Sequence, residues 1–141
     1  MNLYAESSAV LAWLLGETEQ DAILSQLSNA EIVMTSDLTL VECDRVLARC
    51  LPVRSVTEAE IADRQALLNK AAANWNVLRL DQDVIRRARR SFPVEPIRTL
   101  DALHLSCALT ARSALPGLAL LSLDQRVRDN GRRLGFTLLP E

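Results

Sequence analysis

The sequence has few of the residues on which several common catalytic sites depend. It contains one histidine and four glycines among 141 residues, and no glycine lies in a P-loop or in G-x-G-x-x-G spacing. A single histidine excludes catalysis by a pair of histidines. Neither Ser7 nor Ser8 lies in the G-x-S-x-G pattern of a nucleophile elbow. The three cysteines have no C-x-x-C spacing, which argues against a disulfide framework or a zinc site. We expect them to be small core residues.

Long apolar runs are also absent. No run reaches the length needed to span a bilayer, and the first residues, MNLYAESSAV, show no basic leader followed by a long apolar block. We therefore expect a cytoplasmic protein that does not enter a membrane. The length and the 49% hydrophobic content predict one globular domain over residues 1–141.

The basic residues are almost all arginine. The net charge is −2, yet fifteen of the sixteen basic residues are arginines, and Lys70 is the single lysine. Two arginine clusters lie at 86–90 and 126–133. The planar guanidinium can donate two parallel hydrogen bonds to a phosphate. The clusters are thus either phosphate-binding surfaces or solvated helix faces paired with neighbouring acids, and both interpretations stay open.

Hydrophobic periodicity predicts alternating strands and helices. The predicted strands are 2–5, 31–35, 76–80, 118–123 and 136–139. The predicted helices are 7–16, 17–27, a helix capped by Ser36 or Asp37 that ends before Pro52, 57–74, 81–92, 99–113 and 124–135. Apolar strands separated by helices indicate an α/β fold with a central, mostly parallel sheet covered by helices on both faces, a three-layer α/β/α arrangement.

Several acids directly follow predicted strands. Glu6 follows the first strand and Asp124 the fourth, and ligands of open parallel sheets bind at the carboxyl ends of the strands. An acid at such a junction is often only a helix cap. We prefer that interpretation for the acids at 37, 81 and 83, and it is open for Asp124. Glutamate is a poor N-cap, and Ser7 or Ser8 could cap the first helix instead of Glu6.

Two further acids lie in apolar helices. Asp101 opens the apolar helix TLDALHLSCAL, with Thr99 as its expected N-cap, and Glu42 could pair with Arg45 one turn on. A parallel sheet would bring these segments to one edge. Clustered carboxylates repel one another unless a cation lies between them, and oxygen ligation with little histidine suits Mg²⁺ or Mn²⁺. His104, one turn after Asp101, packs at the sheet or supports this site.

Four segments carry a resemblance to a known family: YAESSAVLAWLLGE, LTLVECDRVLAR, RTLDALHLSCAL and LLSLDQRVRDNGRRLGF. Together they resemble PIN-domain ribonucleases of the small VapC-like toxin type found in bacterial toxin–antitoxin pairs. The resemblance extends from Leu3 to about Leu138, and TLDALHLSCA is its most specific part. It implies a PIN-like α/β/α fold, a Mg²⁺- or Mn²⁺-dependent endoribonuclease acting on RNA, a homodimer, and a cognate antitoxin as partner.

The resemblance also implies roles for individual residues. The acid quartet would be Glu6, Glu42, Asp101 and Asp124, of which Glu6, Asp101 and Asp124 would ligate the metal. Ser7 matches the small hydroxyl residue that helps to order the site. Arginines of the two clusters would hold the RNA backbone, chiefly Arg86, Arg87, Arg90 and Arg126.

One departure from the family concerns Glu6, because the first acid of the family is normally aspartate in a D-[ST]-S pattern. The longer side chain leaves a second interpretation open, a catalytically impaired PIN-like module that binds RNA or protein. A receiver-like phosphoacceptor domain also collects acids at strand ends. It needs a lysine after a late strand, whereas Lys70 precedes the third predicted strand.

Overall fold

One five-stranded sheet organises the chain. The computed structural model describes residues 1–53 and 56–141. The strands are β1 Leu3–Ala5, β2 Val33–Ser36, β3 Asn76–Leu78, β4 Ala119–Leu121 and β5 Leu138–Leu139. The helices are α1 Ser7–Leu15, α2 Gln20–Asn29, α3 Asp37–Val53, α4 Glu58–Ala72, α5 Gln82–Ala88, α6 Thr99–Ala114 and α7 Gln125–Arg133.

The strands lie in the order β3-β2-β1-β4-β5, and every pairing between them is parallel. The chain winds outward in one direction from β1 to β2 and β3, and in the other direction from β4 to β5. The order therefore reverses between β1 and β4, which is the position where open α/β sheets bind their ligands.

Helices cover both faces of the sheet, because successive strand residues point to opposite sides. Tyr4 and Leu120 pack in one core with residues of α5, α6 and α7. Leu3 and Leu121 pack in a second core with residues of α1, α2, α3 and α4. The predicted three-layer α/β/α fold with a parallel sheet is confirmed.

The predicted starts of α3 and α4 are correct, because a side chain caps each of these helices. Ser36 accepts from the Thr39 N–H and Thr57 from the Glu60 N–H, as caps of α3 and α4. α3 continues to Val53 and does not end before Pro52. α2 begins at Gln20, three residues later than predicted, because residues 17–19 form a turn after Gly16 ends α1.

The predicted helix 81–92 is too long. α5 spans Gln82–Ala88, and Asp81 caps it by accepting from the Val84 N–H. After Arg89 the chain turns, and the Phe92 N–H donates to the Glu95 carboxylate rather than to a helical carbonyl. Phe92 is buried by this turn, so tertiary packing shortens the helix.

The cysteines are core residues, as predicted. Cys43, Cys50 and Cys107 are free and buried. Burial raises the pKa of the Cys43 and Cys107 thiols, which keeps both protonated and unreactive. Among the described residues, no helix combines the length and the apolar character needed to cross a membrane.

Candidate active site

The candidate site lies at the carboxyl edge of the sheet, where β1 and β4 end side by side. The backbone of Glu6 continues the pairing, because its N–H donates to the Leu121 carbonyl at 3.0 Å. Glu6 therefore starts next to the β4–α7 loop that carries Ser122 and Asp124. The position agrees with the prediction that strand-end acids share one edge.

Glu6 is held by serines at every lone-pair direction of its carboxylate. Oε1 accepts from the Ser7 hydroxyl at 2.7 Å and from the Ser8 N–H at 3.2 Å. Oε2 accepts from the hydroxyls of Ser8 and, at 2.7 Å, Ser122. A carboxylate offers about four lone-pair sites, so all of them are used. This buried glutamate is also the N-cap of α1, and the expectation that Ser7 or Ser8 would cap α1 is wrong.

Ser8 connects the first acid to the last. Its hydroxyl donates to Glu6 and accepts from the N–H groups of Leu123 at 2.8 Å and Asp124 at 3.1 Å. A hydroxyl has one proton and two lone pairs, so this arrangement uses its full capacity. Asp124 is thereby fixed beside Glu6, although the two are far apart along the chain.

Asp124 has a structural role as well as a place in the site. It is the N-cap of α7, and its Oδ1 accepts from the Arg126 and Val127 N–H groups at 2.9 and 3.2 Å. The cap uses one carboxylate oxygen. Within residues 1–53 and 56–141, Oδ2 of Asp124 accepts no hydrogen bond from the protein.

Glu42 and His104 form the second half of the site. Glu42 Oε1 contacts His104 Nε2, so the expected pair of Glu42 with Arg45 is not the contact observed. Nε2 also lies 3.2 Å from the Ser7 hydroxyl and 3.6 Å from Glu6 Oε1. Ser7 Oγ lies 3.4 Å from Glu42, which places Ser7 between the two glutamates.

The pKa of His104 reflects its acidic surroundings. Burial alone would lower the pKa of this imidazole. The hydrogen bond with Glu42 and the charges of Glu6, Glu42 and Asp101 outweigh burial, and the pKa is raised. The acids around His104 therefore favour its protonated form.

Asp101 lies one turn before His104 and is buried, with 5% of its surface exposed. Its Oδ2 accepts from the Arg98 N–H at 3.1 Å and lies 3.7 Å from Arg98 Nε. Arg98, and not Thr99, is the N-cap residue of α6. The predicted first-turn position of Asp101 is correct, and its partner is the N-cap backbone.

The carboxylate oxygens of the site are chemically suited to a hard divalent cation, but their arrangement in the structure does not surround one. In the part of the chain that the structure describes, no three acidic, histidine or cysteine side chains surround one point. Asp101, Glu42 and Asp124 each use one oxygen toward protein donors, so the other oxygen remains for an ion. Glu6 would have to release a serine to bind the ion directly. Carboxylate oxygens are the ligands that Mg²⁺ and Mn²⁺ prefer.

A family model named PIN domain matches residues 3–132. The chain belongs to the PIN domain family. Ribonuclease VapC46 and Ribonuclease VapC35 of Mycobacterium tuberculosis are similar to it over nearly their whole length. VapC46 is 31% identical over 137 residues, 97% of this chain and 95% of the relative. VapC35 is 30% identical over 139 residues, with the same shares covered.

The fold of this PIN domain is similar to that of a solved toxin–antitoxin complex from Klebsiella pneumoniae. The TM-score is 0.66 at 14% sequence identity, and the match covers 99% of this chain and 98% of that one. At this identity the likeness shows the fold alone.

The predicted RNA-binding arginines of the PIN domain have different surroundings. Arg86 pairs with Asp83 at 3.3 Å, and the Arg87 guanidinium lies 4.2 Å from the ring centre of Phe92. Arg126 is exposed at the start of α7. Arg90 lines a cleft beside the start of α6.

The site contains residues that sequence reasoning did not assign to it. Ser8 and Ser122 hold Glu6, and Arg98 contacts Asp101. Ser8 follows Glu6 in the E-S-S motif and Arg98 lies three residues before Asp101. Their closeness in sequence to predicted acids could have indicated that both belong to the site. Nothing in the sequence indicates that Ser122 reaches Glu6, because that contact depends on β1 pairing with β4.

Proposed function

We propose that this PIN domain is a Mg²⁺- or Mn²⁺-dependent endoribonuclease that hydrolyses phosphodiester bonds of RNA, and that it is the toxin component of a toxin–antitoxin pair. The observation that carries the proposal is the connection between three of the four acids at the sheet edge. Glu42 contacts His104, His104 lies next to Glu6, and Ser8 joins Glu6 to the Asp124 backbone. The names of the curated relatives support a ribonuclease.

The metal would be held chiefly by Asp101 and Asp124 through their uncommitted oxygens, with Glu6 joining once a serine is released. When bound, a divalent ion supplies an activated water and neutralises charge on the phosphate. Such an ion would offset the charge of the acids, with which only Arg98 and the protonated form of His104 pair in the described residues.

Other side chains would orient the attacking water, hold the glutamates and bind the RNA. Glu42 is more accessible to solvent than Glu6, since 26% of its side chain is exposed against 4% for Glu6. It is therefore placed to orient an attacking water. His104 holds Glu42 in position, and Ser7 keeps the two glutamates at a fixed separation. Arginines near the edge would hold the RNA backbone, which makes affinity depend steeply on salt.

A specific observation favours a second candidate, a PIN-like module that binds RNA or protein without cleaving it. Both oxygens of Glu6 are committed to serine donors. If the serines are not displaced, the first acid of the family contributes charge but no metal ligand.

Cleavage of single-stranded RNA decides between the two candidates. We would compare wild type with Glu6→Gln and Asp101→Asn, in Mg²⁺ or Mn²⁺ and in EDTA. Asp63→Asn serves as the matched control because Asp63 is an exposed acid on α4. The proposal predicts metal-dependent cleavage by wild type and the control, and a loss of about a hundredfold or more in the two site variants.

RNA binding by wild type without metal-dependent cleavage would instead support the binding module. Cleavage that survives both EDTA and Asp101→Asn would contradict the metal-dependent mechanism.

The partner proposals follow from the family. We propose a cognate antitoxin, a homodimer and a cytoplasmic location, where RNA substrates are found. Of the elements considered for a dimer interface, Leu14 is a core residue and Trp13 packs against Trp75 with ring centres 6.4 Å apart. On α4, Leu67 is exposed at 44% and is the better interface residue.

A further inference from the structure

A cleft of about 520 Å³ lies beside the candidate active site, between α5, the loop after it, and the first turn of α6. Its lining combines three arginines with aliphatic side chains: Arg89, Arg90, Arg98, Ile85, Ile97 and Leu103. Its volume falls within the 300–1,000 Å³ that is typical of small-ligand sites. Its chemistry suits a ligand with one anionic and one apolar part.

The cleft has a strong excess of positive charge. Within the described residues, neither Arg89 nor Arg90 forms an ion pair. One acid, Glu95, also lines the cleft, and its two carboxylate oxygens accept from the N–H groups of Phe92 at 2.9 Å and Ile97 at 3.0 Å. Glu95 thus shapes the loop, and with three arginines against this one carboxylate the lining keeps a net positive charge.

The loop wall of the cleft is held in place by α7. The buried side chain of Asn130 accepts from the Val94 N–H at 2.8 Å and donates to the Val94 carbonyl at 2.9 Å. A two-way clamp of this kind fixes the loop backbone before any ligand binds. Preorganised sites lose less entropy on binding.

The cleft adjoins the acids through Arg98. This side chain lines the cleft, and its Nε lies 3.7 Å from Asp101 Oδ2. Thr99 also lines the cleft, two residues before Asp101 in the first turn of α6. Arg98 is therefore shared by the cleft and the candidate site.

We propose that this cleft is a nucleotide subsite, which receives the phosphate and base of a nucleotide next to the scissile bond. The inference rests on the proposed function, because it names the part of the RNA that the same site would hold. Arg89 and Arg90 bind the phosphate, and the aliphatic side chains of Ile97 and Leu103 contact the face of the base. An acidic peptide would match the charge but would leave the aliphatic surface without a partner.

The test measures RNA binding without cleavage. A fluorescein-labelled single-stranded RNA is titrated in EDTA against wild type, Arg89→Ala/Arg90→Ala, and the control Arg49→Ala/Lys70→Ala. The control removes two exposed basic side chains, one from α3 and one from the last turn of α4, and both lie outside the two arginine clusters. Circular dichroism and thermal unfolding check that each variant is folded.

We expect Arg89→Ala/Arg90→Ala to weaken RNA binding about tenfold or more. The slope of log affinity against log salt should fall by about 0.7 for each phosphate that an arginine no longer neutralises. The control should stay within about twofold of wild type, since surface charges away from the RNA are largely screened. Uridine monophosphate should displace the RNA from wild type at lower concentration than inorganic phosphate does.

Unchanged RNA affinity in Arg89→Ala/Arg90→Ala would overturn the subsite, as would an equal weakening of binding in the control. Displacement of the RNA by poly-glutamate but not by uridine monophosphate would assign the cleft to an acidic protein partner and also overturn it. Cleavage by wild type in Mg²⁺ is measured separately. If cleavage is absent but the predicted binding pattern is seen, the proposed function fails, and the cleft remains a nucleotide-binding site of a protein that does not cleave RNA.

Discussion

Shortening Glu6 to aspartate tests how the serines hold the first acid. The change withdraws the carboxylate by about one C–C bond, roughly 1.5 Å, so the 2.7 Å hydrogen bond from Ser122 is broken. Removing that donor with Ser122→Ala should cost wild type about 1.5–3 kcal/mol, the usual value for a hydrogen bond to a charged group. In the Glu6→Asp background the same change should cost at least about 1 kcal/mol less, because the bond to Glu6 is already missing.

The assay is urea unfolding of wild type, both single variants and the double variant, which form a double-mutant cycle. The weaker contacts of Ser122 with the Ser8 hydroxyl and the Asp124 N–H occur in both backgrounds and cancel. We expect a coupling of at least about 1 kcal/mol. If the losses of unfolding free energy in the two single variants add up, within about 0.5 kcal/mol, to the loss in the double variant, Ser122 does not hold Glu6. The description of the site would then be wrong.

Three further predictions concern other residues of the site and its support. Asp124→Ala and Asp81→Ala each remove an N-cap and should each lower the free energy of unfolding by about 1 kcal/mol, but only Asp124→Ala should abolish RNA cleavage; equal activity of the two would refute a role for Asp124. His104 has a raised pKa, so its ionisation stabilises the fold below the unfolded pKa of about 6.5, and this contribution disappears as the pH rises through the higher folded value. In metal-free buffer the stability gap between wild type and His104→Gln should therefore be larger near pH 6 than near pH 9, and a gap that grows with pH would contradict the assignment. Asn130→Ala leaves the Val94 backbone groups without partners and should cost roughly 2–4 kcal/mol, with faster tryptic cleavage after Arg90 and Arg98; unchanged proteolysis would show that the clamp does not hold the loop.

The fold could be predicted because its signals are local. Apolar strands alternate with helices, and caps such as Thr57 and Asp81 lie in the sequence immediately before the helices they start. The rule that parallel strands end at one edge was enough to bring Glu6 and Asp124 together. The predicted end of α5 was wrong, because burial of Phe92, and not helix propensity, determines where the chain turns.

The partners inside the site could not be predicted, because they are distant along the chain. Ser122 is 116 residues from Glu6, and His104 is 62 residues from Glu42. A local interpretation therefore paired Glu42 with Arg45, one turn away on the same helix. The strand order β3-β2-β1-β4-β5, which brings these residues into contact, has no signature in the sequence.

Metal binding by the folded protein tests the central claim most directly, namely that the four acids hold a divalent ion at the sheet edge. Thermal unfolding would be followed with increasing Mn²⁺ for wild type and Asp101→Asn. An ion at 100 times its dissociation constant adds about 2.7 kcal/mol of stability, so the wild-type midpoint should rise by roughly 5–10 °C. The midpoint of Asp101→Asn should rise far less. No rise in wild type, or an equal rise in both proteins, would contradict the account.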